Sequence, residues 1–173
     1  MEKHQIQYQT VHFTLNGKEV EKTVDVRASL TDMLRNDFHM LSVKKGCEVG
    51  ECGACTVLID DEAINSCLWL AVWAEGKNIR TLESLVGPNG ELSDVQQCFV
   101  EEAAIQCGFC TPGFIMTAQE IIETGKDYTD DQLRKLLSGH LCRCTGYENV
   151  LRAVKKAIKK VMYRRLGKEM PQE

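Results

Sequence analysis

Three cysteines fall within ten residues, Gly46-Cys47-Glu48-Val49-Gly50-Glu51-Cys52-Gly53-Ala54-Cys55, and Cys67 follows after eleven more. The spacing C-x4-C-x2-C with a distant fourth cysteine is that of a plant-type [2Fe–2S] site. Two ferric ions and two sulfides bound by four thiolates leave a cluster with a net charge of about −2. A loop around such an anion must bring backbone N–H groups close to sulfur. Gly46, Gly50 and Gly53 permit that approach, because they have no Cβ and tolerate positive φ. A zinc site or a disulfide loop is the alternative, but zinc favours short paired spacings, two and two.

The rest of the chain is bounded by that feature. Its 173 residues suit one ordinary domain or two small ones, and a small domain with a thin core gains stability from a bound metal group. No apolar run approaches the roughly 18 residues needed to cross a membrane. The first ten residues contain no apolar signal-peptide segment, so a cytoplasmic chain is expected. Nine cysteines in an unexported chain argue for metal ligation rather than disulfides, and the odd count gives at least one a different role. The net charge of −4 is uneven, −10 over residues 1–149 and +6 over residues 150–173. The acidic body argues against nucleic acid as a partner.

Local patterns order the chain around the cysteines. Val11, Phe13 and Leu15 alternate before Asn16-Gly17, which predicts a hairpin of strands over about 9–15 and 18–26. Ser29 is placed to cap a helix with Leu30, Met33, Leu34 and Phe38 on one face. Thr56–Ile59 reads as a strand, Asp60-Asp61 as a turn, and Ile79–Leu82 as a last strand. Gly87-Pro88-Asn89-Gly90 lies in a linker over 82–92, after which the period becomes helical. Four helices are predicted: about 93–106 behind Ser93, Thr111-Pro112 to Gly125, a capping box at Thr129 leading to Gly139, and about 145–166. The fold class is therefore α+β followed by an all-α half that reads as a four-helix bundle.

A second cysteine set lies in the helical half. Cys107-x2-Cys110 precedes the second of these helices and Cys142-x-Cys144 the fourth, with thirty-one residues between the pairs. Both loops end in Cys-Thr, so the half reads as a weak repeat of helix, cysteine loop, helix. A cluster shared by the two loops would sit at two helix N-termini, whose positive dipole ends favour an anion. On spacing alone a four-cysteine zinc site remains open. His140 is near the loop, but no second histidine accompanies it as a Rieske-type site requires. Cys98 falls with Val95 and Phe99 on a helix stripe and reads as a buried, inert thiol. The basic last helix reads as a solvated face, with docking to an acidic partner or anionic lipid as the sharper alternative.

The stretches KKGCEVGECGACTV, AIQCGFCTPGF and LCRCTGYENV resemble the iron–sulfur subunit of the molybdenum hydroxylases, the xanthine dehydrogenase and aldehyde oxidase family. The resemblance runs from about residue 10 to residue 160 and takes in all eight paired cysteines. The segment SCLWLAVWAEGKNIRTLESL looks most like the separate small subunit of bacterial xanthine dehydrogenases.

The family implies a β-grasp ferredoxin-like domain over 8–84, a four-helix [2Fe–2S]-binding domain over 85–166, and a tail over 167–173. It implies two [2Fe–2S] clusters, one on Cys47, Cys52, Cys55 and Cys67, the other on Cys107, Cys110, Cys142 and Cys144. Gln106 and Cys144 would lie beside the pterin of a molybdopterin-binding large subunit, and a further subunit would carry FAD. The resemblance further implies electron transfer from molybdenum through both clusters to FAD and NAD during hydroxylation of a purine such as xanthine. An aldehyde, carbon monoxide or another N-heterocycle would serve equally, because the molybdenum subunit selects the substrate. A free-standing ferredoxin-like carrier is the rival from another class, and the second cluster-binding half argues against it. The chain offers no recognisable catalytic base, nucleophile or substrate pocket of its own.

Overall fold

The computed structural model describes residues 7–168. Alternation of apolar residues about Asn16-Gly17 produces the expected hairpin, β1 (Tyr8–Leu15) against β2 (Lys18–Asp25), antiparallel and fully paired from Tyr8↔Asp25 to Leu15↔Lys18. Asn16 and Gly17 both have positive φ, 51° and 79°, the geometry that matches a two-residue turn to strand twist. Ser29 accepts a hydrogen bond from the Asp32 N–H at 3.1 Å and opens α1 (Leu30–Asp32), which continues as a π-helical turn over Met33–Asp37. Leu30, Met33 and Leu34 are buried, and Phe38 packs edge-on to Phe13.

Three short strands complete the sheet: β3 (Thr56–Ile59), β4 (Glu62–Asn65) and β5 (Asn78–Arg80). The strand order is β2-β1-β5-β3-β4, with β1 and β5 parallel and every other pair antiparallel. Strand β4 has no counterpart in the sequence reading. Asp60 and Asp61, with φ of 50° and 71°, reverse the chain directly so that β4 pairs back onto β3.

The second half carries α2 (Asp94–Glu101), α3 (Thr111–Glu123), α4 (Asp130–Leu137) and α5 (Glu148–Arg165). Capping boxes at Ser93 and Thr129 open α2 and α4 as expected. The predicted end of α2 at 106 is too late. Ala103 takes φ 48° and turns the chain, so Ala103 is exposed and Ala104 enters the core. At α3 the cap is Cys110, and Thr111 and Pro112 open the helix. At α5 the helix begins at Glu148, after Tyr147 at φ 68°, rather than near Thr145.

Helix α3 explains how the halves adhere. Its first eight residues are all buried, which a surface helix would not show. One side joins Phe99, Leu133 and Val154 in the helical core, and the other lies on β3 and β4. The Glu120 carboxylate accepts from the Ala63 N–H at 3.1 Å. Arg80 donates to both oxygens of Glu123, at 2.9 and 2.6 Å, and also to Asp61 at 2.8 Å. The expected linker is not free at its start, because a helical turn over Leu82–Leu85 sets Leu82 and Leu85 against the helical core.

The basic face of α5 is answered within the chain. Lys155 pairs with Asp130 at 2.8 Å, Lys156 with Glu101 and Glu102 at 3.1 and 2.9 Å, and Lys160 and Arg164 with Asp94. These side chains keep much of their surface in water, Arg164 most of all, so the solvated face expected of this helix carries ion pairs to its own chain. The tail predicted over 167–173 lies mostly outside the described residues. Among the described residues, no helix is long and apolar enough to cross a membrane.

Candidate metal centres

The first cysteine loop is a run of left-handed turns. Glu48, Gly50 and Gly53 have φ of 57°, 82° and 68°. The turns aim amides inward: the N–H groups of Val49 and Glu51 donate to Cys47 Sγ at 3.4 and 3.3 Å. Led by the Val49 amide, with Cys52 next and the Glu51 amide last, hydrogen bonds hold the Cys47 thiol down at about 7 against the opposing effect of burial. Gly46 is needed for a different reason, since a Cβ there would stand 2.8 Å from Cys52 Sγ. Cys67 arrives on the helical turn after β4, where burial first, and then the facing Cys55, push its thiol up to about 11. Cys52 is also the near neighbour of Cys47, so the loop presents two pairs, Cys47 with Cys52 and Cys55 with Cys67.

The second set has the same two-and-two arrangement. Cys107 and Cys144, both exposed, have sulfurs 3.7 Å apart. Cys110 and Cys142 face each other deeper in, and Cys110 is pushed up to about 12 by burial first and by Cys142 next. Burial is the largest influence on Cys142 and raises it, but the Thr145 hydroxyl at 3.2 Å and amide at 3.5 Å, joined by the Cys144 amide and Cys110, together leave that thiol at about 7. The Cys142 amide in turn donates to the Tyr147 hydroxyl at 3.0 Å. Tyr147 holds a left-handed conformation that costs a non-glycine residue energy, as residues fixed at functional sites often do. Neither Thr145 nor Tyr147 stands out as a functional residue in the sequence. The only signal is the Cys-Thr that ends both loops, and Thr111 in the first is instead a buried helix-opening residue.

Within each quartet the nearest neighbours are pairs, Cys47 with Cys52 and Cys55 with Cys67 in the first, Cys107 with Cys144 and Cys110 with Cys142 in the second. Among the described residues no three thiol, imidazole or carboxylate groups are gathered as one metal ion would need. A binuclear [2Fe–2S] group, with two thiolates on each iron, fits this donor set and its inward amides. Cys98 stands apart: it is fully buried between Val95 and Phe99, and burial raises its thiol. Gln106 is exposed beside Cys107.

The two loops touch. The Leu141 N–H donates to the Cys52 carbonyl at 3.1 Å, and the Phe109 ring lies beside Gly46. His140 is buried where the loops meet, its Nε2 2.7 Å from the Thr117 hydroxyl and its ring 4.6 Å from that of Phe114. Burial drives its pKa down to about 4, with the Gly53 backbone opposing the fall, so the imidazole is neutral at pH 7.

Two cysteine quartets on a mixed sheet and a helical half define a chain assembled from two iron–sulfur-binding domains. Family models agree: residues 13–81 match the 2Fe-2S iron-sulfur cluster binding domain and residues 81–155 the [2Fe-2S] binding domain. The chain belongs to the iron–sulfur subunits of the molybdenum hydroxylase family, components of multi-subunit oxidoreductases. It is 50% identical to the xanthine dehydrogenase iron-sulfur-binding subunit of Escherichia coli O157:H7 over 147 residues, covering 84% of this chain and 91% of that one. It is 47% identical over 140 residues to the nicotine 6-hydroxylase small subunit of Paenarthrobacter nicotinovorans, covering 81% and 84% of the two chains. Among solved structures, quinoline 2-oxidoreductase from Pseudomonas putida 86 superposes with a TM-score of 0.86 at 40% identity, over 92% of this chain and 98% of that one.

Proposed function

We propose that this chain is the electron-transfer subunit of a cytoplasmic xanthine dehydrogenase–type complex. Cys47, Cys52, Cys55 and Cys67 hold one [2Fe–2S] cluster in a β-grasp domain over 8–84. Cys107, Cys110, Cys142 and Cys144 hold a second in a four-helix domain over 85–166. When bound, the clusters supply one-electron transfer from a molybdopterin centre on a large partner subunit toward FAD and NAD on another. The observation that carries this reading is the direct hydrogen-bonded contact between the two cysteine loops, which makes two sites into one conduit.

The chain's own residues hold the two ends of that conduit. Amides of Val49 and Glu51 and the Thr145 hydroxyl stabilise thiolate charge, as donors to cluster sulfurs do when they set reduction potential. Exposed Gln106 and Cys144 are our candidates for contact with the pterin. Half-exposed Phe109 and exposed Leu141 flank the second loop, and exposed Val49 and Leu68 flank the first. Such apolar residues around a polar site suit burial against partner subunits. A purine substrate is favoured by the 50% identity to a xanthine dehydrogenase subunit. The nicotine- and quinoline-named relatives favour a second reading, the same role with another N-heterocycle.

Purifying the native complex and screening purines, N-heterocycles and aldehydes tests the substrate. The order of the conduit is tested by rapid-freeze EPR on complexes carrying Cys47→Ser or Cys142→Ser, with partner binding verified. Substrate should still reduce the second site in Cys47→Ser while NAD reduction is lost, and should leave the first site oxidised in Cys142→Ser. Reduction of the first site at the normal rate in Cys142→Ser contradicts the series order.

A further inference from the structure

We propose that His140 is a positioning residue that locks the second cysteine loop onto the first and so fixes the relative placement of the two metal groups. This rests on the reading that the two quartets hold the clusters. Three backbone segments converge on the ring. A Cβ on Gly53 would overlap His140 Nδ1 and stand 2.5 Å from the Gly139 carbonyl oxygen. A Cβ on Gly113, in the first turn of α3, would overlap the Gly53 carbonyl oxygen and lie 3.2 Å from His140 Nδ1. Glycine at position 53 makes room for the imidazole, and glycine at position 113 lets the Gly53 carbonyl approach α3.

The ring is anchored from the other side. Thr117, one turn along α3 from Gly113, meets Nε2 at 2.7 Å, and Phe114 covers the ring face. Nε2 and the Thr117 hydroxyl share one hydrogen bond, which turns Nδ1 toward the Gly53 backbone. No partner of good hydrogen-bond geometry meets Nδ1. An apolar side chain would fill this space without leaving a buried polar atom short of a partner, so packing alone does not explain a histidine.

What the wedge holds is the link between the quartets. The residue after His140 is Leu141, whose N–H donates to the Cys52 carbonyl, and the next is Cys142. Cys52 and Cys142 are therefore joined through one hydrogen bond and one residue of backbone. The ring sits directly behind that bond, against the glycine that follows Cys52. If it is removed, the segment over residues 139–144 loses its stop against the first loop while every cysteine remains.

The test uses the assembled complex with both clusters reduced by dithionite, read by low-temperature EPR for the magnetic interaction between them. Iron content and the two individual spectra are recorded alongside. In the wild type the two signals should split or broaden each other. His140→Ala should lose or diminish that interaction with iron content kept. His140→Gln, whose amide reaches the Nε2 position, should restore it in large part. Thr117→Val, which alters no cysteine, should weaken it, and decides the matter if His140→Ala fails to assemble. Unchanged interaction in both His140→Ala and Thr117→Val, or none in the wild type, overturns the proposal. Failure of the ligand reading looks different, because the wild type would then lack two iron–sulfur signals altogether.

Discussion

Gly53→Ala is the sharpest structural perturbation of the joint between the loops. Gly53 has φ 68°, so any side chain there incurs left-handed strain of about 1–2 kcal/mol. Its added Cβ would also press on His140 Nδ1 and on the Gly139 carbonyl oxygen at 2.5 Å, and backbone cannot swing aside as a flexible side chain can. Overpacking of that kind costs about 1–3 kcal/mol more, for a total of about 2–5 kcal/mol. Gly17→Ala is the control, because Gly17 has φ 79° but nothing within 4 Å of its would-be Cβ, leaving only the strain. At about 2–4 °C per kcal/mol for a chain of this size, Gly53→Ala should melt about 10 °C below the wild type and Gly17→Ala about 3–5 °C below. The assay is thermal unfolding of the iron-loaded chain followed by far-UV circular dichroism, with visible absorbance tracking the clusters. Equal melting temperatures for the two variants would refute the tight packing of the first loop against His140 and Gly139.

Cys98→Ala removes one buried sulfur from the helical core, so it should cost about 1 kcal/mol while both EPR signals survive, and loss of either would show that Cys98 is a ligand. Arg80→Ala should loosen α3 from β5 and lower the melting temperature modestly, since a half-buried ion pair still reached by water contributes on the order of 1 kcal/mol; differential scanning calorimetry reads the shift. Glu123 is held below the usual carboxylate range, chiefly by Arg80. Its contribution is therefore complete above the ordinary glutamate pKa of about 4.3 and is lost as pH falls below that value. The wild type should accordingly lose more stability than Arg80→Ala between about pH 5 and pH 3, and parallel curves would remove the latch.

The first loop is legible because a metal group dictates residue type and spacing at once, and the Asn-Gly hairpin because its turn chemistry is local. Features decided by tertiary contact are less legible. Glu62-Ala-Ile-Asn65 has no alternation to mark it as β4, and it is a strand because Asp60-Asp61 folds it onto β3. Nothing in Glu101-Glu102-Ala103 signals a stop, yet the chain turns at Ala103 to bury Ala104 and bring Gln106 and Cys107 to the site. The lysines of α5 find their acids as far off as Asp94, beyond the reach of any helical-spacing rule. His140 lacks, in sequence, the second histidine that a ligand role would need. Its placement between Gly53, Gly113 and Thr117 depends on three segments that only the fold brings together.

Counting iron and acid-labile sulfide in the purified, fully loaded chain, with EPR of the reduced protein, tests the two-cluster reading most directly. Two [2Fe–2S] groups on the paired quartets require four irons and four sulfides per chain and two distinguishable signals, one lost in Cys47→Ser and the other in Cys142→Ser. Two irons per chain, a predominance of zinc, or the same signal disappearing in both variants would contradict it.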